Sequence, residues 1–428
     1  MLQLPIATHA LANGLRVVLS EDHATPIVAV NLWYHVGSAN EREGRTGFAH
    51  LFEHMLFQGS EHVAANEHFE LVQRAGGTLN GSTWLDRTNY YETLPSHQLE
   101  LALWLEADRM GRLLPAMTQE KLDTQRDVVK NERRWSVDNQ PYGTWWERLP
   151  AICFPPSHPY HHSLIGSMDD LSAASLEDVA EFFRTYYTPD NAVLSIAGDF
   201  EPAAALAMVE RHFGPIPRGN GHPALRPMDL PPRFGEWRRE VVEDDVVAAR
   251  SFLAFRVPPC GSEPWYALSL LGAVLGSGEG ARLPRALVRE ARLASDAGAF
   301  TFDLTKGADL LICDVTGRQG VPLATLLEAL VAQVEQVRAD GVSEEERARA
   351  LALLESGWLL QLQSAGHRAD KLSQFATYFG DPQRINTELA RYQAVTTAQL
   401  HAAARQYLGA DNRVSLSYVP RVSAEVAA

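Results

Sequence analysis

Cysteine is almost missing from the chain: Cys153, Cys260 and Cys313 are the only three among 428 residues. An odd number at wide spacing excludes a disulfide framework and a thiolate metal cluster, so each is expected as a small buried hydrophobe. No run of about 18 apolar residues occurs, which excludes a helical membrane span. The opening "MLQLPIATHALANGLRVVLS" lacks a basic segment followed by a long apolar one. No signal peptide is therefore expected, and the cytoplasm is the default compartment, or the periplasm if an export signal has been removed. Basic charge is also short, with 38 Lys and Arg against 53 Asp and Glu and a net charge of -15. Without a Lys/Arg-rich run to neutralise phosphates, nucleic acid is excluded as a partner.

What is present is ordinary globular material, 46% hydrophobic and 21% charged. A chain of this length exceeds what one core organises, so two domains are expected. The turn signal Asn13-Gly14 leads into a β-rich segment from Leu15 to Leu19. A strand is expected from Ile27 to Val36 and a helix from Thr46 to Phe57, with Thr46 as its N-cap and Gly59 past its end. Gly76 to Leu94 reads as strand. Thr118 to Ser136 and Ser175 to Tyr187 read as helices, the latter opened by the capping box "SLED". The aperiodic Pro- and Gly-dense stretch 214–237 reads as a linker between a domain at 1–213 and another at 238–428.

A weak internal repeat supports that division. "YYTPDNAVLSIAG" resembles "QYLGADNRVSLSY", with Tyr187 opposite Tyr407. "HLFEHMLFQGS" aligns with "ALSLLGAVLGSG", which places His50, Glu53 and His54 opposite Ala267, Leu270 and Leu271. The second half is thus a cousin of the first with apolar residues in place of a polar trio.

That trio carries the chemistry. Residues i and i+4 share one helix face, so His50 and His54 in "HLFEH" can offer two imidazole nitrogens to one ion. Imidazole suits zinc. Glu53, three positions after His50, falls beside such an ion, where a carboxylate can take a proton from a metal-bound water. The competing reading is a surface helix with scattered polar groups. Phe48, Leu51, Phe52, Met55, Leu56 and Phe57 argue against it, because a solvated face is not so apolar.

Histidine, two variable residues, glutamate and histidine form the inverted zinc-peptidase order. Together with "ANGLRVVLSED", "AGGTLNGSTWLDRTNYYETLP", "DVVKNERR", "HPYHHSLIGSMDDL" and "YYTPDNAVLSIAGDF", in that family's order along nearly the whole chain, it resembles the pitrilysin or insulinase (M16) family of zinc metallopeptidases. That family includes the mitochondrial processing peptidase. The resemblance implies a third ligand at Glu132 in "VVKNERR"; Gln125, Val128 and Val129 on its face point it toward a core, while the residues alone favour an exposed helix glutamate in a charged run with Arg133 and Arg134. Gln125 stands where the family often has a supporting acid, and hydrogen bonding remains open to it. Asn80 and Ser82, in the segment resembling the family's edge strand, are candidates for holding an extended peptide. "HPYHH", His158 to His162, lacks a helical i, i+4 pair and is read as a loop block; Trp145 and Trp146 are read as core or interface aromatics.

The resemblance further implies an α+β fold of two homologous domains, each a mostly antiparallel sheet with helices on one side, forming half of a clam shell. One Zn2+ per chain and hydrolysis of short or unfolded peptides inside a closed chamber follow from it. Active members also need an Arg and a Tyr from a C-terminal lobe to stabilise the oxyanion. Arg289 in "LPRALVREARLASDAGAF" matches the arginine, but Ser295 and Asp296 stand where the tyrosine would fall. The implied partner is therefore a homologous Arg/Tyr-bearing subunit in a heterodimer, with an active homodimer as the alternative. A non-catalytic structural subunit and a peptide-binding module that keeps its metal for stability remain rival classes.

Overall fold

The computed structural model of the chain describes residues 3–221, 223 and 228–421. Residues 222 and 224–227 of the expected linker lie outside them. Two compact units divide the chain: Met1–Arg133, His162–Leu225 and Leu359–Glu388 form the first, and Arg134–His161, Arg226–Trp358 and Leu389–Ala428 the second. Each unit thus takes one segment from outside the continuous stretch expected for it.

The first unit is built on a six-stranded sheet of β1 (Ala7–Ala10), β2 (Arg16–Glu21), β3 (Ile27–Tyr34), β4 (Thr78–Thr83), β5 (Thr88–Pro95) and β6 (Ala192–Gly198), in the order β1-β2-β6-β3-β5-β4. Only the β2–β6 pair is parallel. The central strand β3 is buried on both faces, and its period of two sorts its residues. Val28, Val30, Leu32 and Tyr34 enter the main core, to which the helices α1 (Phe48–Met55), α2 (Glu67–Arg74), α3 (Leu99–Arg112) and α4 (Gln119–Arg133) contribute. Ala29 packs instead with Ala197 and Ala369, and the Trp33 indole donates to Asp370 Oδ1 at 2.9 Å. The helix Ala365–Phe379, from late in the chain, therefore covers the opposite face of this sheet.

Helix α1 exists because its apolar residues recur at helical spacing. Phe48, Leu51, Phe52 and Met55 are all buried, and each such side chain stabilises the packed state by about 1.5–3 kcal/mol. Phe52 alone meets the rings of Phe182, Phe183 and Tyr187. Burial of this stripe leaves His50, Glu53 and His54 on the remaining, half-buried face.

The second unit repeats the plan with β7 (Glu236–Asp244), β8 (Arg250–Val257), β9 (Ala294–Thr301), β10 (Asp309–Gly317) and β11 (Asn412–Pro420) in the order β7-β11-β8-β10-β9. Its β7–β11 pair is parallel, as β2–β6 is in the first unit, and the other neighbours are antiparallel. The helix Glu263–Gly276 follows β8 as α1 follows β3, and its Ala267, Leu270 and Leu271 are buried in the core. Both halves are therefore sheet-plus-helix domains of one design, and only the first carries the polar trio. Trp145 stacks on Phe252 with centroids 4.6 Å apart, and Trp146 on Phe302 at 5.4 Å, both within the second unit. Cys153 and Cys313 are buried and Cys260 is partly so, and none of the three forms a disulfide among the described residues. Among the described residues no helix is long and apolar enough to cross a membrane.

Candidate metal centre

Helix α1 is shorter than the expected span and starts differently. Gly47, in the left-handed region at φ 84, is its N-cap. Thr46 is not the cap; its hydroxyl donates to Asp170 Oδ2 at 2.6 Å. The first turn is satisfied by Glu41, whose carboxylate accepts from the N–H of Gly47 at 2.9 Å and of Ala49 at 2.8 Å. A carboxylate at a helix N-terminus also meets the positive end of the helix dipole. Burial nonetheless raises the Glu41 pKa well above the usual carboxylate range, against those backbone bonds.

Helix α4 lies against α1 and turns its Leu122, Gln125 and Val129 inward. Val128, expected on that inner face, is 41% exposed. The last turn of α4 brings Glu132 to the histidines. Its Oε2 lies 3.3 Å from His54 Nε2 and 3.7 Å from His50 Nε2. One ligand atom from each of His50, His54 and Glu132 lies within 4.8 Å of the other two. The donor set of two imidazoles and one carboxylate is one that a catalytic zinc ion takes, and its spacing is compatible with a single ion. Among the described residues the buried His50 Nδ1 has no hydrogen-bond partner.

The electrostatics divide the two histidines. Burial, with the neighbouring His54, lowers His50 to about 4, against the pull of Glu132. Burial also acts to lower His54, but the hydrogen bond and charge of Glu132, with Glu53 and Gln125, outweigh it and raise the pKa. The His54 hydrogen bond in turn holds the Glu132 carboxyl below its ordinary value. Gln125 is buried and hydrogen-bonds His54, so it orients that imidazole without adding charge.

Glu53 points the other way, toward β4. Its Oε2 accepts from the Thr83 hydroxyl at 2.5 Å. Burial raises the Glu53 pKa and the Thr83 bond opposes that rise. Strand β4 is last in the sheet, with β5 as its one strand neighbour. On it, Asn80 Oδ1 accepts from Gly81 N, and Ser82 Oγ donates to Asn89 Oδ1 at 2.7 Å. Arg87 Nη1 donates to both the carbonyl and the hydroxyl of Ser82. Ser82 is thus committed within its own hairpin. Thr83 and Glu41 escaped the sequence reading; only the alternation along β4 hinted at Thr83.

The other candidates lie elsewhere. His158 stacks on Phe154 and its Nδ1 accepts from Tyr160 N, while His161 Nδ1 meets the Phe154 carbonyl. These are packing and loop contacts, and no ligand group among the described residues includes them. Arg289 lies in the helical segment Pro284–Glu290 of the second unit, and β9 beyond it contains Ser295 and Asp296 but no tyrosine.

The chain is similar to known proteins along most of its length. The family model described as "Insulinase (Peptidase family M16)" matches residues 16–154, and the one described as "Peptidase M16 inactive domain" matches residues 173–354. The zinc protease PqqE of Helicobacter pylori is 29% identical over 401 residues, covering 93% of this chain and 89% of that protein. A probable mitochondrial-processing peptidase subunit beta of Arabidopsis thaliana is 24% identical over 409 residues, covering 93% of this chain and 75% of that protein. The crystal structure of a protease from Helicobacter pylori superposes with a TM-score of 0.92 at 27% identity, over 98% of this chain and all of that one. Two sheet-and-helix units, a His-His-Glu centre in the first and an apolar counterpart in the second accompany these matches: the chain belongs to the M16, or insulinase, family of peptidases.

Proposed function

We propose that the chain is a zinc-dependent endopeptidase for short or unfolded peptides, with His50, His54 and Glu132 as the metal ligands and Glu53 as the general base. The observation that carries this reading is the convergence of His50, His54 and Glu132 from two helices within 4.8 Å. Zinc held there supplies a Lewis acid that polarises the scissile carbonyl and acidifies water. The chain's own residues do the rest. Glu53 takes the proton of the attacking water and returns it to the leaving amine. Gln125 orients His54. An extended peptide adds to the outer edge of β4, where Asn80 and Ser82 lie and main-chain pairing sets its direction.

Oxyanion stabilisation is incomplete in this chain, since β9 offers no tyrosine after Arg289. We therefore infer that full activity needs a homologous Arg/Tyr-bearing chain. The Arabidopsis relative, by its name, is itself a subunit.

The test is cleavage of an unstructured fluorogenic peptide by the zinc-loaded chain, alone and mixed with an Arg/Tyr-bearing relative. Activity that appears only in the mixture and disappears with Glu53→Gln is expected. Activity of the chain alone would replace the heterodimer by a self-sufficient enzyme. No activity in either, with zinc bound, would favour a binding or structural subunit.

A further inference from the structure

Two residues of β4, two positions apart and so on the same face of the strand, converge on the Glu53 side chain. At Gly81 a Cβ would stand 3.2 Å from Glu53 Cγ and equally close to the rings of Phe57 and Tyr90. Those rings are held in place: Phe57 and Tyr90 lie 5.7 Å apart, and the buried Arg109 guanidinium sits 4.1 Å from the Tyr90 centroid. At Thr83 the hydroxyl donates to Glu53 Oε2 at 2.5 Å. Thr83 itself is 8% exposed and fixed by its pairing with Thr88 of β5. The strand thus leaves room for the glutamate at one position and grips its carboxylate at the next.

We propose that Thr83 is a positioning residue for the reaction: its hydroxyl selects the Glu53 rotamer that turns one carboxylate oxygen to β4 and leaves the other free for the proton in transit. This rests on Glu53 being the general base. A glutamate side chain has three rotatable bonds, and nothing else among the described hydrogen bonds holds this carboxylate. One short bond to an oxygen therefore decides between a defined orientation and several. Tying the base to β4 also ties it to the strand on which we place the peptide. Base and substrate are then positioned by one element, and the geometry needed for proton transfer is set before the peptide arrives.

Thr83→Val keeps the shape and the β-branching and removes only the hydroxyl; Thr83→Ser restores it. With the peptide assay above, Thr83→Val is expected to keep stoichiometric zinc and an unchanged KM while kcat falls roughly 10- to 100-fold. Thr83→Ser is expected to recover most of kcat. A kcat within twofold of wild type for Thr83→Val would overturn the proposal, and so would a Thr83→Ser variant as slow as Thr83→Val. Crystal structures of wild type and Thr83→Val, grown without zinc, supply a second readout. The Glu53 carboxylate should leave its position beside β4 in the variant, and an unmoved carboxylate overturns the proposal. If wild type cleaves no peptide in any mixture, the peptidase reading fails, and the crystallographic comparison still decides whether Thr83 holds Glu53.

Discussion

His68 on α2 is 5% exposed, with Nε2 3.1 Å from Glu92 Oε1. Glu106 and Arg109 of α3 complete the cluster, paired to each other and fully buried. The three metal-type groups His68, Glu92 and Glu106 lie as close together as His50, His54 and Glu132 do, but here the Arg109 guanidinium supplies the cation. Burial, and then Arg109, push the His68 pKa down to about 3 from its ordinary 6.5. The folded state therefore binds this proton less well than the unfolded chain. The resulting stability is fully present above pH 6.5 and is lost as pH falls toward 3, by about 1.4 kcal/mol per unit. Denaturant unfolding at pH 7 and pH 5 should show wild type losing about 2 kcal/mol more than His68→Gln over that interval. Equal pH dependence in the two proteins would remove His68 from the account. At the metal centre, His54→Ala and Glu132→Ala should abolish stoichiometric zinc in metal analysis, whereas Glu53→Gln should retain it. Gln125→Ala should weaken zinc affinity roughly 10- to 100-fold, the usual cost of losing a group that orients a ligand; unchanged affinity would make Gln125 a packing residue.

Helix α1 shows what a sequence reveals about an element and what it hides. Its apolar stripe and the i, i+4 histidines depend on helical periodicity alone, so the helix and its polar face were legible. Its start was not, because the device that satisfies the first turn is Glu41, brought back by a loop rather than by helical spacing. The same holds for Glu132. Its place beside the histidines depends on how α4 docks, which local pattern does not encode; resemblance to a family suggested it and geometry brings it there. Val128 reads as core by residue type and proves exposed, since the buried face of α4 runs through Leu122, Gln125 and Val129. Glu41→Ala tests the element directly. It orphans two N–H groups at the start of the helix that carries His50, and leaving buried donors unpaired costs about 1–3 kcal/mol. The unfolding midpoint should fall accordingly and zinc affinity should weaken with it, measured by denaturation and by metal titration. A Glu41→Ala protein as stable as wild type would mean that α1 is held by its packing alone.

At the scale of the whole chain, the five strands of the second sheet repeat the order β2-β6-β3-β5-β4 of the first, yet the compact units are not the two halves of the sequence. The Pro- and Gly-rich stretch near the middle reads as a boundary because local composition changes there. It gives no sign that residues 359–388 return to the first unit. On that unit's sheet, Ser373 Oγ bonds Ser195 Oγ at 2.7 Å, and Asp370 Oδ1 accepts from Trp33 and from the side-chain amides of Asn31 and Asn89. Ala29, Ala197 and Ala369 fill the space between. Small residues let the helix approach the sheet closely, and the polar pairs then depend on its presence. A fragment of residues 1–221 therefore keeps every proposed zinc ligand but exposes Trp33 and Ala197 and leaves Asn31, Asn89 and Ser195 without those partners. Such a fragment should aggregate, or be cleaved rapidly in limited proteolysis and lack a cooperative unfolding transition, despite containing the entire His-His-Glu set. A monomeric, protease-resistant 1–221 that binds zinc at wild-type affinity would show the first unit to be self-sufficient. Loss of structure would instead mean that the metal centre depends on a helix encoded more than 200 residues downstream of it.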